Sequence, residues 1–196
     1  MNALSHIYLS LVFKKAIEKK LSVKLHTISF IKGNLKPDFS LLLIKVPHYK
    51  IPTSEIVKKE MDKLILLTMN NYTTCTREFT ERLGVVTHYL SDFFCYAHST
   101  RFTGSVYDHV IYEKNLSKYR RSMKEKLMES IGNVPYKDYN LDYQSICGLI
   151  DRLHARHCAK KPSYARDLIF TLRAGIPLSI YLVSFCLQQG EAQLAA

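Results

Sequence analysis

Gly84-Val85-Val86-Thr87-His88-Tyr89-Leu90-Ser91-Asp92-Phe93-Phe94-Cys95-Tyr96-Ala97-His98 is the stretch on which the reading of this chain turns. Thr74 or Thr76 is placed to cap a long helix that passes through it to about Tyr96. On such a helix, residues four apart share a face, so His88 and Asp92 project together and can both reach one ion. Asp92 is set among Tyr89, Leu90, Phe93, Phe94 and Tyr96. A carboxylate buried in that setting is costly unless it is paired or bound to a metal.

The same pairing recurs downstream. His109 and Glu113 are again four apart, on a helix expected from about Ser105 to Ser130, and His98 falls in the connection between the two helices. Imidazole and carboxylate are the ligand types zinc takes, and pairs on facing helices build a site inside a bundle. The bland alternative is a set of carboxylates hydrogen-bonded to neighbouring tyrosines or lysines.

With seven glycines and six prolines, and apolar residues recurring every three to four positions, the rest of the chain reads as helix after helix. Helices are expected over Leu4–Lys19 and Val23–Ile31, from an N-cap at Ser54 to about Asn70, over Leu141–Ala159, and after Pro162. Turns are expected at Gly33–Asp38, between Pro47 and Pro52, at Asn70-Asn71 and over Gly132–Asn140. The expected fold class is therefore all-α, a multi-helix bundle forming one domain over residues 1–196.

Five cysteines without a CxxC pair give neither a disulfide framework nor a thiolate zinc site, which points to a reducing, cytoplasmic setting. No secretory signal is legible at the N-terminus, where lysines follow the apolar stretch. No apolar run reaches the ~18 residues of a spanning helix. The nearest, Ala174–Leu187, contains Gly175 and Pro177 and reads as a core helix, with an amphipathic surface segment as the alternative. The net charge of +11 favours anionic partners without choosing among phosphate esters, lipid headgroups and nucleic acid. His154 and His157 read as surface residues, and the tyrosines between Tyr107 and Tyr143, including Tyr136 and Tyr139, as packing groups.

Taken together, Gly84 through His98 resembles the HxxxDxxxxxH signature of zinc-dependent phospholipases C, and His109 to Glu113 resembles the HxxxE that follows it there. The upstream elements are similar too: an N-terminal helix histidine (His6), a Gly-x-x-x-Pro-Asp turn (Gly33 to Asp38) and a proline-preceded histidine (His48), in family order. The resemblance runs from Leu4 to Glu113. It implies that Asp38, His48, His88 and Asp92 hold one zinc, and that His98, His109 and Glu113 hold a second. It implies a third on Asp92 and His6, completed in the family by the amino group and carbonyl of an N-terminal tryptophan. This chain has no tryptophan, and Met1 lies five residues before His6. Either the Met1 terminus takes that role, or water does, or the third site is empty.

The activity so implied is phosphoester hydrolysis by a metal-activated water on a cluster of two or three zinc ions, with Asp38 and Asp92 as the catalytic carboxylates. The same fold resembles single-strand-specific zinc nucleases, so a phosphodiester lipid, a phosphomonoester and nucleic acid all stand as substrates. A zinc-stabilised helical binding protein is the non-catalytic alternative. Phe39 and Tyr49, beside Asp38 and His48, serve either as core or as the lining of a headgroup or base pocket. Oligomeric state is not legible.

Overall fold

The computed structural model describes residues 1–40, 48–70, 75–130 and 142–194. In chain order these form α1 (Ala3–Leu21), α2 (Thr27–Phe39), α3 (Lys50–Asn70), α4 (Arg77–Phe93) and a 3-10 turn (Tyr96–His98). Then follow α5 (Val106–Ser122), α6 (Lys124–Ser130), α7 (Tyr143–Cys158) and α8 (Tyr164–Leu194). The described residues contain no strand, as the all-α class requires. The loop expected over Gly132–Asn140, with Tyr136 and Tyr139, lies outside the described residues, as do Pro47 and Thr74.

Local chemistry fixes several helix starts. The Asn2, Thr76 and Asp142 side chains accept from the backbone amides of Ser5, Phe79 and Ser145, satisfying amides that have no partner within the helix. At α5, Ser105 and Asp108 form a reciprocal capping box. Four expectations are corrected. α3 starts at Lys50, not at Ser54, whose hydroxyl donates back to the Ile51 carbonyl; Pro52 fits the first turn because no amide is needed there. The helix expected from Val23 begins at Thr27, since Ser22 closes α1 in the left-handed region (φ 54°). The helix expected from Ser105 to Ser130 is interrupted at Met123. The turn expected at Gly33–Asp38 is helix throughout, with Pro37 buried in the last turns of α2.

That last correction positions the site. Gly33 was read as a helix breaker, but it is selected by packing. It faces Gly84 across the most extensive helix pair among the described residues, α2 on α4. A Cβ on Gly84 would lie 2.6 Å from the Phe30 carbonyl oxygen and 2.8 Å from the Gly33 Cα, while one on Gly33 would overlap the Glu81 carbonyl. Two absent side chains thus let the backbones touch.

α4 is the central helix. Every residue from Leu83 to Phe93 is buried, under α2, α3, α8 and α1, so its polar residues Thr87, His88, Ser91 and Asp92 must find their partners inside the protein. It ends at Phe93, and the Tyr96 amide beyond it is bonded to Asp167 of α8. α8 is long and apolar enough over Tyr164–Gln188 to cross a membrane by length and composition, with mean hydropathy 1.7. Leu168, Leu172, Ala174, Ile176, Leu178, Leu182 and Val183 of this helix are buried in the same core as α1 and α4, the placement expected of a core helix.

Candidate metal centre

The centre is built around Asp92, which is 0% exposed. One oxygen, Oδ1, is hydrogen-bonded by the Met1 ammonium and lies 3.3 Å from His6 Nε2 and 3.7 Å from His98 Nε2. The other, Oδ2, lies 3.1 Å from His48 Nδ1 and 3.3 Å from His88 Nε2. Asp38 enters from the end of α2, its Oδ1 3.5 Å from His48 Nδ1 and 3.6 Å from His88 Nε2. Beside it, His98 Nε2 and His109 Nε2 converge on Glu113 Oε1 at 2.8 and 3.1 Å. The structure therefore brings all eight expected residues into one cluster, carried on α1, α2, the residues just before α3, α4, the 3-10 turn and α5.

The tautomer of His88 follows from its partner. Its Nδ1 is 2.7 Å from the Asn34 carbonyl oxygen, which only accepts, so Nδ1 carries the proton. In the neutral ring, Nε2 then presents a lone pair towards two carboxylates. Lone pairs facing each other at this range repel unless a cation lies between them. His88 Nε2 and both nitrogens of the fully buried His6 have no hydrogen-bond partner; the 3.3 Å approach of His6 Nε2 to Asp92 lacks hydrogen-bond geometry. The His6 and His88 rings stack with centroids 3.9 Å apart.

Charge states agree with that requirement. Burial, then the neighbouring His88, pulls His6 down to about 3, so it is neutral. Burial also lowers His98. Against the opposing effect of burial, the basic groups His98, the Met1 amine, His6 and His88 hold Asp92 well below the usual carboxylate range. Glu113 is likewise lowered, by the Met1 amine and by hydrogen bonds from His109 and His98, again against burial. Burial and Asp92 raise Asp38. A neutral His6 beside ionised Asp92 and Glu113 matches the protonation states in which these groups bind metal.

Met1 supplies a stand-in cation. Its amine is within 2.8 Å of His98 Nε2 and 3.1 Å of Glu113 Oε1, besides its bond to Asp92. Burial opposes its charge, but Asp92, Cys95 and Glu113 outweigh burial and push it up to about 12. An ammonium thus holds the positive charge that three of the expected ligands demand. Of the alternatives left open for the third position, the structure brings the Met1 terminus into the site.

Four sets of three donors lie close enough to share an ion: His6, His88 and Asp92; Asp38, His48 and His88; His48, Asp92 and His98; and Cys95, His98 and Glu113. Cys95 was not expected. Burial pushes its thiol up, as do Asp167, Asp92 and Glu113 against the Met1 amine, so it packs as a thiol. Asn34 and Thr87 were also missed. Asn34 is fully buried beside Gly33, and the Thr87 hydroxyl lies 3.2 Å from its side-chain oxygen; a backbone carbonyl serving as the partner of a ligand histidine leaves no mark in the residue type. His157 corrects another expectation. It is not at the surface but buried, its Nε2 2.9 Å from Asp167 Oδ1.

A scan against protein families matches residues 4–164 to the family described as zinc dependent phospholipase C. The chain belongs to this family. It is accordingly a zinc-dependent, phospholipase C-like hydrolase, and the match extends past Glu113 into the start of α8. No curated protein and no solved structure matches the chain.

Proposed function

We propose that the chain is a phosphodiesterase of the phospholipase C type that acts on a phospholipid headgroup ester. The observation that carries this reading is the crowding of nitrogens from His6, His48, His88, His98 and Met1 around the one carboxylate of Asp92, with His6 and His88 left without hydrogen-bond partners. In this reading Asp38, His48, His88 and Asp92 hold one zinc, and His98, His109 and Glu113 a second. Asp92 and His6 beside the Met1 terminus hold a third. Zinc supplies charge to bind phosphate oxygens and lowers the pKa of water towards ~7.

The protein's own groups divide the remaining work. Asn34 fixes the His88 ring through Nδ1. Asp38, at 24% the most exposed of the three acids, is the one that water reaches most readily and is placed to take a proton from attacking water. Asp92, sealed from solvent, holds the cluster together. His109, 31% exposed, forms the opposite edge. As part of the same proposal we place the protein in the reducing cytoplasm, a reading supported by five free cysteines.

Zinc counted per chain by elemental analysis, with turnover of a soluble choline phosphodiester, a phosphomonoester and single-stranded DNA, tests the reading. Two or three zincs and preference for the diester are expected. Protein that takes up no zinc when offered it, or that cleaves none of the three, would sink it. The net charge of +11 suits nucleic acid as well as anionic lipid; a steep loss of DNA binding with salt, accompanied by cleavage, is the signature of the nuclease alternative.

A further inference from the structure

Helix α2 carries a second surface beside its buried one. At ~100° per residue, Ile28, Ile31, Leu35 and Phe39 fall in one stripe along the helix. Ile28 is 84% and Phe39 69% exposed, Ile31 and Leu35 are half-buried, and the stripe lines an open, apolar trough with Lys32 and Lys36. The buried face of the same helix is formed by Phe30, Gly33, Asn34 and Pro37. Asp38 falls between the two faces, on one flank of the stripe, and the two lysines lie on the other. An apolar stripe thus runs along the helix and ends, at Phe39, beside Asp38, the most exposed acid of the metal centre.

We propose that this stripe of α2 is the surface by which the protein docks on an anionic phospholipid bilayer. The occupant follows from size, charge and position. Four side chains fall far short of the ~20–30 residues a side of a stable protein interface, whereas an interfacial helix needs only a few apolar groups set among lysines. Lys32 and Lys36 share a single acid, Glu81, at 2.9 and 2.8 Å, leaving the flank positive, and the chain carries +11 overall. Anionic headgroups complement that charge. Seated on a bilayer, the stripe sets Asp38 at headgroup level, where an ester enters the centre without leaving the interface. The inference rests on the lipid reading of the site.

Co-sedimentation with vesicles tests it, using phosphatidylcholine and phosphatidylserine in equal parts against phosphatidylcholine alone. The full chain is expected to bind the mixed vesicles more tightly, and the double variant Ile28→Ser with Phe39→Ser to bind them ~10-fold or more weakly. Both positions are exposed, so folding is unaffected, and the melting temperature checks this. Absence of vesicle binding, equal binding to both vesicle types, or a double variant that binds like the parent would overturn the proposal. Concentration-dependent dimerisation lost in the variant, without a change in vesicle binding, would overturn it in favour of a second copy as occupant. A soluble phosphodiester assayed in parallel separates the two readings: its turnover fails with the hydrolase, vesicle binding with the docking surface.

Discussion

Asp92 and Asp167 are both completely buried carboxylates, and they solve the same problem in opposite ways. Asp167 Oδ2 accepts from the Tyr96 amide and the Tyr112 hydroxyl, each at 2.9 Å, and Oδ1 faces His157 Nε2 at 2.9 Å. Its neighbours bring protons. Around Asp92 the neighbours bring lone pairs as well, because the proton of His88 is already committed to Asn34 and the His6 nitrogens make no hydrogen bond. A buried carboxylate requires compensation in either case. At Asp167 the fold provides it, tying the start of α8 to the 3-10 turn and α5; at Asp92 the Met1 ammonium and His48 provide part of it, and the unpartnered nitrogens of His6 and His88 are left over. The first region has the partners of a structural site and the second the donor set of a metal site, although burial alone does not distinguish them.

Removing the charge at Asp92 gives the largest expected effect. Asp92→Asn should lower zinc per chain and reduce phosphodiester turnover by on the order of 10³-fold. Zinc at a thousand times its dissociation constant should raise the unfolding free energy of the parent by ~4 kcal/mol and add little to the variant, as read by denaturant melts with and without chelator. A variant that keeps both its zinc and its response to chelator would show that Asp92 is compensated by protein alone, like Asp167, and the contrast would collapse.

Asp167→Ala is the converse. Loss of three partners at a buried position should destabilise the protein by ~3 kcal/mol, with zinc stoichiometry unchanged when zinc is saturating. Because Tyr96 and Tyr112 lie close in sequence to His98 and Glu113, zinc affinity should weaken by ~10-fold at most. Zinc content falling as far as in Asp92→Asn would move Asp167 into the metal centre.

The two regions also differed in how far the sequence revealed them. His88 with Asp92, and His109 with Glu113, stand at spacings that helix geometry converts directly into shared faces, with His98 in the connection between them; His6, Asp38 and His48 were recoverable because their motifs resemble a family in order and spacing. Asp167 carried no such mark. Its partners come from the 3-10 turn, α5 and α7, and only packing brings them together. The same limit explains His157, whose basic neighbours suggested a surface, and Gly33, whose residue type suggested a turn. Glycine marks either a bend or a close approach, and only the facing Gly84 decides which. The cap carried by Thr76, read together with Thr74 as its alternative, and the helix start near Ser105 were legible because a cap is satisfied within four residues, whereas Ser54 offered the right side chain in the wrong place.

Gly84→Ala should therefore disturb both the fold and the metal centre. The added methyl meets backbone at 2.6 and 2.8 Å, and backbone cannot rotate away as a side chain can. Separation of α2 from α4 should cost ~2 kcal/mol and draw the Asn34 carbonyl away from His88, so stability and zinc affinity should fall together. Unchanged zinc affinity in a destabilised variant would show that the Asn34 contact does not order the ligand.

Thr87→Val isolates that contact at smaller scale. The Thr87 hydroxyl has one proton and three acceptors within reach, Asn34 Oδ1 at 3.2 Å, Leu83 O at 3.1 Å and Gly84 O at 3.0 Å. The latter two carbonyls belong to its own helix. If the proton serves Asn34, valine removes the partner of a buried amide oxygen, lowering stability by ~1 kcal/mol and zinc affinity by less than ~10-fold, as measured by competition with a chromogenic chelator. If the proton serves the helix carbonyls, the stability change persists while zinc affinity stays at the parent value. The His88 tautomer would then depend on the Asn34 backbone alone, held in place by the glycine contact between α2 and α4.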